Sequence, residues 1–227
     1  MITLYTLGTP NGVKVSVALE LLQLAYKTVT IDISTNVQKE DWFLKISPNG
    51  RIPAIVDTEG PKKANGEDFT LMESGAILQY LAEKYDTDHK ISFPRGTLEY
   101  YQSIEWLLFQ NAGVGPMQGQ ANHFQLYAPE KVPYGIKRYT DETRRLYSVL
   151  EARLKETGTG FLVGDHVSIA DITTVGWVGS APNLGIDLAK EFPAVDKWIK
   201  GLIAIPEVKK GLNVPSEWRN WQHFPRI

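Results

Sequence analysis

Residues 47–57 read Ser-Pro-Asn-Gly-Arg-Ile-Pro-Ala-Ile-Val-Asp, and residues 69–82 read Phe-Thr-Leu-Met-Glu-Ser-Gly-Ala-Ile-Leu-Gln-Tyr-Leu-Ala. The short apolar run after Pro53 is a strand opening on proline, a position where the missing N–H need not break a ladder. If the Ile52–Pro53 bond is cis, the N–H and C=O of Ile52 turn outward, where an extended ligand can pair with them. Phe69–Met72 is a second strand-like run. It passes directly into a helix whose apolar stripe is Ile77, Leu78 and Leu81, with Ser74 placed to cap it. A helix N-terminus offers free N–H groups and a partial positive charge to a carboxylate. Glu73, one residue earlier, can hold an ammonium. Together the two suit the zwitterionic end of an amino acid. Singly each has a plain reading, because most serine caps are only caps and most X–Pro bonds are trans turns.

Upstream, residues 2–6 alternate as a strand does. Thr9 can cap a helix whose first position is Pro10, where a missing N–H costs nothing. Val17, Leu21 and Leu24 follow on one face with Ala18 and Leu22 beside them, so this helix packs inward. Asn11, in the first turn, can either brace that turn or aim its amide N–H₂ beyond the helix end. Tyr5 fills the buried face of the first strand. Residues 27–33 form the next strand and residues 39–45 a short helix, with Gln38 just before it. The resulting order is β-α-β-α-β-β-α, the thioredoxin-like order. The charged, glycine-containing insert 58–68 is a surface loop.

A polar linker over 87–95 separates this domain (1–86) from a second one (96–227) that reads as helical throughout. Leu98, Tyr101, Glu105 and Leu108 space along one helix, with Trp106 and Phe109 alongside. Three glycines and Pro116 in the run 111–120 should kink or break it. The run is either a plain interhelical break or a wall of small side chains facing a cleft. Pro133 opens a long helix to about residue 156 that Gly158 can end. Ser168 to Asp171 reads as a capping box with Val167 and Ile172 as a hydrophobic staple. Pro193 and Pro206 open the last helices. Trp218, Trp221 and Phe224 are too large and apolar to stay in water, so the tail is expected to pack on the body.

Composition narrows the function classes. A chain of 227 residues, 43% hydrophobic and 22% charged, is an ordinary globular protein with room for one large or two smaller cores. Its formal charge of −2 gives no electrostatic reason to expect nucleic acid or an acidic membrane as a partner. No cysteine occurs. That excludes a disulfide scaffold, a thiolate metal site and a cysteine nucleophile of the chain's own. Met1 leads straight into a strand pattern, with no signal-like segment and no membrane-length apolar stretch, so a cytoplasmic protein is the expectation.

The stretch 47–82 resembles the glutathione-binding half of cytosolic glutathione transferases, and the resemblance extends over essentially the whole chain. Thr-Pro-Asn-Gly at 9–12, Ile-Ser-Pro-Asn-Gly-Arg-Ile-Pro-Ala-Ile-Val-Asp at 46–57 and Leu-Met-Glu-Ser-Gly-Ala-Ile-Leu at 71–78 are similar to the bacterial Nu-class enzymes. They are equally similar to fungal transferases related to the yeast nitrogen-regulator prion protein. Tyr-Ala-Pro-Glu-Lys-Val-Pro-Tyr-Gly-Ile-Lys-Arg-Tyr-Thr at 127–140 fits the same groups. The resemblance implies a thioredoxin-like domain followed by an all-helical one, in which Ser168-Ile-Ala-Asp171 serves folding. It implies glutathione as co-substrate, no metal, and a homodimer. Thr9 and Asn11 would address the sulfur, Ile52 with Pro53 the cysteinyl backbone, Glu73 and Ser74 the γ-glutamyl end, and Gln38 and Arg51 the glycyl side. Arg138 would reach the neighbouring subunit's ligand. Where serine-type members carry their hydroxyl this chain has Gly8, so the activating group is the departure from pattern. The implied chemistry is glutathione-dependent reduction of small disulfides, with peroxidase activity beside it. Oxidised glutathione, a small disulfide, a peroxide or an electrophile would share the site. Conjugation of electrophiles and a non-catalytic regulatory role are the alternatives, the latter weakened by the lack of a long Asn/Gln-rich arm.

Overall fold

A computed structural model describes residues 1–217, so the expected packing of Trp218, Trp221 and Phe224 lies outside the described residues. The described chain forms two compact units, one of residues 1–91 joined by the segment that starts at Pro206, the other running from Ser92 to Ile205.

The first unit is a thioredoxin-like layer. Strands β1 (Ile2–Thr6), β2 (Tyr26–Thr30), β3 (Ala54–Asp57) and β4 (Phe69–Met72) stand in the order β2-β1-β3-β4. β1 runs parallel to β2 and antiparallel to β3, and β4 is antiparallel to β3. The helices of this layer are α1 (Gly12–Leu21), α2 (Asp41–Leu44) and α3 (Ser74–Tyr85). β1 alternates as its sequence does, burying Ile2, Leu4 and Thr6. α1 instead is buried continuously from Gly12 to Leu19, because β1, α3 and a C-terminal helix all pack on it. Tyr5 is half-buried against the cluster of Ile31, Phe43 and Ala54. β2 ends at Thr30, three residues before the sequence expectation. The Asp32 side chain accepts the Ser34 N–H at 3.0 Å, and that local bond turns the backbone out of the ladder.

The second unit contains α4 (Leu98–Phe109), α5 (Gly115–Asn122), α6 (Pro133–Thr157), α7 (Ile169–Gly179), α8 (Leu188–Glu191) and α9 (Pro193–Ala204). The α-helix is interrupted at the anticipated place, but by a π turn rather than by a loop. A π turn at Gln110–Val114 carries α4 into α5, and a second at His123–Tyr127 follows it. The glycines there serve interior packing. A Cβ on Gly115 or Gly119 would lie 3.3 Å from Trp177, and one on Gly113 3.2 Å from Leu146. Gln118 is buried in the same place, its Nε2 donating to the Trp177 carbonyl (2.7 Å) while its Oε1 accepts from the Tyr147 hydroxyl (2.8 Å). α6 ends on Gly158 (φ +64°), whose N–H donates to the Leu154 carbonyl. The capping box of α7 forms as read. Asp171 is fully buried and also accepts from the Leu162 N–H (2.9 Å) and Trp198 Nε1 (2.8 Å).

Pro206 opens α10 (Pro206–Leu212), which the sequence reading placed with the helical domain. By contact it groups with the first unit. The reason is Gly211. A Cβ there would fall 2.4 Å from Val17 Cα, so only glycine lets α10 lie this close to α1. The Ser16 hydroxyl donates to the Gly211 carbonyl at 2.7 Å inside that contact. Among the described residues no helix is long and apolar enough to cross a membrane.

Candidate functional site

A small pocket of about 70 Å³ lies in the first unit, lined by Asn11, Ser47, Asn49, Arg51, Ile52, Pro53, Met72, Glu73 and Ser74. Three loops of the thioredoxin-like layer build it. The first is the β1–α1 turn. Thr9 Oγ1 accepts the Gly12 N–H at 3.1 Å, which sets the start of α1 and leaves Asn11 half-buried beside the pocket. The second is the turn at 47–50, closed by the Gly50 N–H donating to the Ser47 carbonyl at 2.7 Å. Gly50 has φ +59°, and a Cβ there would meet the Gln38 carbonyl at 2.8 Å, so both conformation and space require glycine. Ser47 Oγ donates to the Arg51 carbonyl (2.9 Å), leading the chain to Ile52–Pro53, whose bond is cis.

The third loop is the β4–α3 junction, where the structure shifts the sequence reading by one residue. Ser74 is the first residue of α3 and Glu73 holds the cap position, with no side-chain cap bond. Glu73 adopts φ +69°, a left-handed value that a non-glycine residue takes up only at a cost. Its side chain is exposed, whereas Ser74 is only 9% exposed. The Ser74 hydroxyl is engaged from beneath, accepting from Lys14 Nζ at 3.2 Å. Lys14 is 0% exposed, and burial pulls its pKa down to about 7 although the Glu73 charge pushes the other way. An exposed carboxylate, the first turn of a helix and a buried ammonium thus meet at the β4–α3 junction.

Of the nine residues singled out in the sequence, Asn11, Arg51, Ile52, Pro53, Glu73 and Ser74 line this pocket. Thr9 caps α1 behind it. Gln38 is buried, with Nε2 donating to the Ile33 carbonyl at 3.2 Å, and is absent from the lining. Arg138 belongs to the second unit, on α6, where it borders a groove with Met117, Tyr134, Lys137 and Glu142. Ser47, Asn49, Met72 and Lys14 went unnoticed in the sequence. Lys14 had a signal: it is the one charged residue in the run Gly-Val-Lys-Val-Ser-Val-Ala-Leu at 12–19. Among the described residues no group of three or more His, Cys, Asp or Glu could hold a metal ion.

The family model for the glutathione S-transferase N-terminal domain matches residues 1–83, and that for the C-terminal domain matches residues 134–206. The chain belongs to the glutathione S-transferase family. Within it, the chain is 42% identical over 212 residues to the disulfide-bond oxidoreductase YfcG of Escherichia coli (strain K12), covering 93% of this chain and 94% of that one. A glutathione transferase homologue from Lodderomyces elongisporus, solved with two glutathione molecules per subunit, superposes with a TM-score of 0.89. It is 48% identical, covering 94% of this chain and 98% of the other. The glutathione transferase URE2P6 from Phanerochaete chrysosporium, solved in complex with oxidised glutathione, gives a TM-score of 0.85 at 42% identity, with 92% and 94% covered. These relatives bear out the glutathione transferase fold and the likeness to the prion-protein-related transferases read from the motifs.

Proposed function

We propose that this glutathione transferase binds glutathione in the pocket between Ile52 and Ser74 and reduces small disulfides with it. The observation that carries the binding is the β4–α3 junction, where exposed Glu73 and the first N–H groups of α3 offer matched charge to a γ-glutamyl ammonium and carboxylate. Ile52 pairs with the cysteinyl backbone and Arg51 serves the glycyl end, while Gln38, buried behind the lining, supports the Gly50 turn rather than touching the ligand. Thr9 and Asn11 address the sulfur, Asn11 through its amide and Thr9 by fixing the turn, so the thiolate is held by hydrogen bonds and the start of α1.

Because the chain has no cysteine, both reducing thiols come from glutathione. The first glutathione thiolate attacks one sulfur of the disulfide, forming a mixed disulfide and expelling a thiolate that takes up a proton. A second glutathione thiolate attacks the glutathione sulfur of that mixed disulfide, giving oxidised glutathione and the second thiol. A hydroperoxide in place of the disulfide would yield an alcohol and water from the same two glutathiones. That one relative was solved with two glutathiones per subunit and another with oxidised glutathione supports a site that admits both peptides. The oxidoreductase name of YfcG supports the reaction class.

The working assembly is a homodimer. Leu98, Tyr101 and Leu108 share one face of α4 and are 67%, 61% and 56% exposed, a stripe of large apolar side chains that a second copy would cover. Arg138 would then serve the partner's ligand.

The test is turnover of hydroxyethyl disulfide with glutathione, followed by mass spectrometry of the protein at every stage. Turnover without a protein–glutathione adduct is the expected result. Brisk conjugation of aryl halides with disulfides left untouched would refute the reaction while leaving the binding site standing.

A further inference from the structure

We propose that Lys14 is a positioning residue for the ligand's carboxylate, acting through Ser74, so that anion binding at the start of α3 is linked to a proton; this rests on the glutathione reading above. The geometry runs from the inside outward. Lys14 lies in the first turn of α1 with no exposed surface, and its Nζ stands 3.2 Å from Ser74 Oγ. An ammonium only donates. The Ser74 oxygen therefore accepts from below, and the hydroxyl proton is turned away from Lys14, toward the side on which Ser74 borders the pocket. Ser74 becomes an obligate donor, which is what a carboxylate requires. A neutral amine at the same place could accept the Ser74 proton, and the hydroxyl would then present a lone pair to an anion.

The charge works in the same direction. A buried ammonium is unfavourable unless anions lie near it. β1, α3 and α10 pack on α1. β1 carries Tyr5, α3 carries Tyr80, Glu83, Lys84 and Tyr85, α10 carries Glu207, Lys209 and Lys210, and α1 itself carries Glu20, which pairs with Lys210 at 2.7 Å. Glu73 at the head of α3 is a group whose charge acts on Lys14 and raises its pKa. A ligand ammonium seated on Glu73 draws on that same charge, and a ligand carboxylate on Ser74 replaces it. Binding the zwitterion thus favours protonated Lys14, and protonated Lys14 favours the zwitterion.

Burial draws Lys14 down to about 7 before a ligand binds, so the linkage falls in an accessible range. If the bound form stays protonated, affinity is about tenfold weaker at pH 8 than at pH 6. The probe is S-methylglutathione, which lacks the thiol and its own titration. Calorimetry on the unaltered protein at pH 7.5, in two buffers of different ionisation enthalpy, should report uptake of roughly three-quarters of a proton per ligand. Lys14→Met should bind more weakly at pH 6 and lose the decline between pH 6 and pH 8. The ligand's amino group titrates in both experiments, so the difference between the two profiles isolates Lys14. A packing role alone would lower affinity equally at every pH. Binding with no proton uptake, or superimposable profiles for parent and variant, would overturn the proposal. Absence of S-methylglutathione binding at any pH would instead overturn the glutathione reading itself.

Discussion

Two glycines lie inside helices near the C-terminal end, and the structure assigns opposite signs to the same change at each. At Gly211 on α10 a new Cβ would sit 2.4 Å from Val17 Cα and 2.6 Å from Val17 N. These are backbone atoms of a buried helix and cannot rotate aside, so α10 must move away. Overpacking of this kind costs about 1–3 kcal/mol. The displacement also stretches the buried Ser16–Gly211 hydrogen bond, worth about 0.5–1.5 kcal/mol. The helix propensity of alanine returns up to about 1 kcal/mol. Because the clash is with backbone, the net loss for Gly211→Ala belongs near the top of that span, about 3 kcal/mol. At Gly201 on α9 the added Cβ meets nothing within 4 Å, so Gly201→Ala keeps only the propensity gain of about 1 kcal/mol. For a chain of this size each kcal/mol moves Tm by roughly 2–4 °C. Thermal unfolding followed by circular dichroism should therefore place Gly211→Ala about 6–12 °C below the parent and Gly201→Ala about 2–4 °C above it. A Gly211→Ala protein that melts with the parent would show that α10 does not rest on α1 as described.

Asn11→Ala should raise the pKa of bound glutathione's thiol by about 1 unit toward the free value of about 8.5, since a hydrogen bond to the charged form is lost. A thiolate absorbance titration unchanged by the substitution would move the role to Thr9 or to backbone N–H groups. Light scattering at micromolar concentration should find the parent dimeric. Leu108→Glu should dissociate it at least tenfold more readily, since each buried side chain of this kind contributes about 1.5–3 kcal/mol. A monomeric parent would remove both the dimer and any role for Arg138 across it.

What the sequence made legible followed from residues whose backbone requirements are local. Phe69–Met72 is the strand that its pattern announced, Pro133, Pro193 and Pro206 open the helices assigned to them, and Gly158 ends the one before it. Ser168 to Asp171 forms its capping box for the same reason, since all its partners lie within one turn. Features set by distant neighbours were harder to read. Gly113, Gly115 and Gly119 looked like helix breakers, yet they pass Leu146 and Trp177, which are far along the chain. Gly211 looked like an unremarkable helix residue, and its meaning depends on Val17. In the site, Glu73 and Ser74 were found as a pair but with the cap on the wrong one, because only the backbone shows Glu73 at positive φ. Lys14 was passed over because a single lysine in a helix ordinarily reaches water, and here α1 is enclosed all round.

The pairing of α10 with α1 also dictates an order of events on the ribosome. The first unit is discontinuous in sequence: its sheet is complete by Met72, but the helix that covers one side of α1 arrives only with residues 206–212. The 114 residues from Ser92 to Ile205 separate the two portions, and translation at roughly 5–20 residues per second takes about 6–23 s to deliver them. Throughout that interval Val17 and Ser16 lack the helix that packs on them. The second unit, contiguous from Ser92 to Ile205, can close in the meantime. Among the described residues, the unit that is translated first is therefore the one that is finished last.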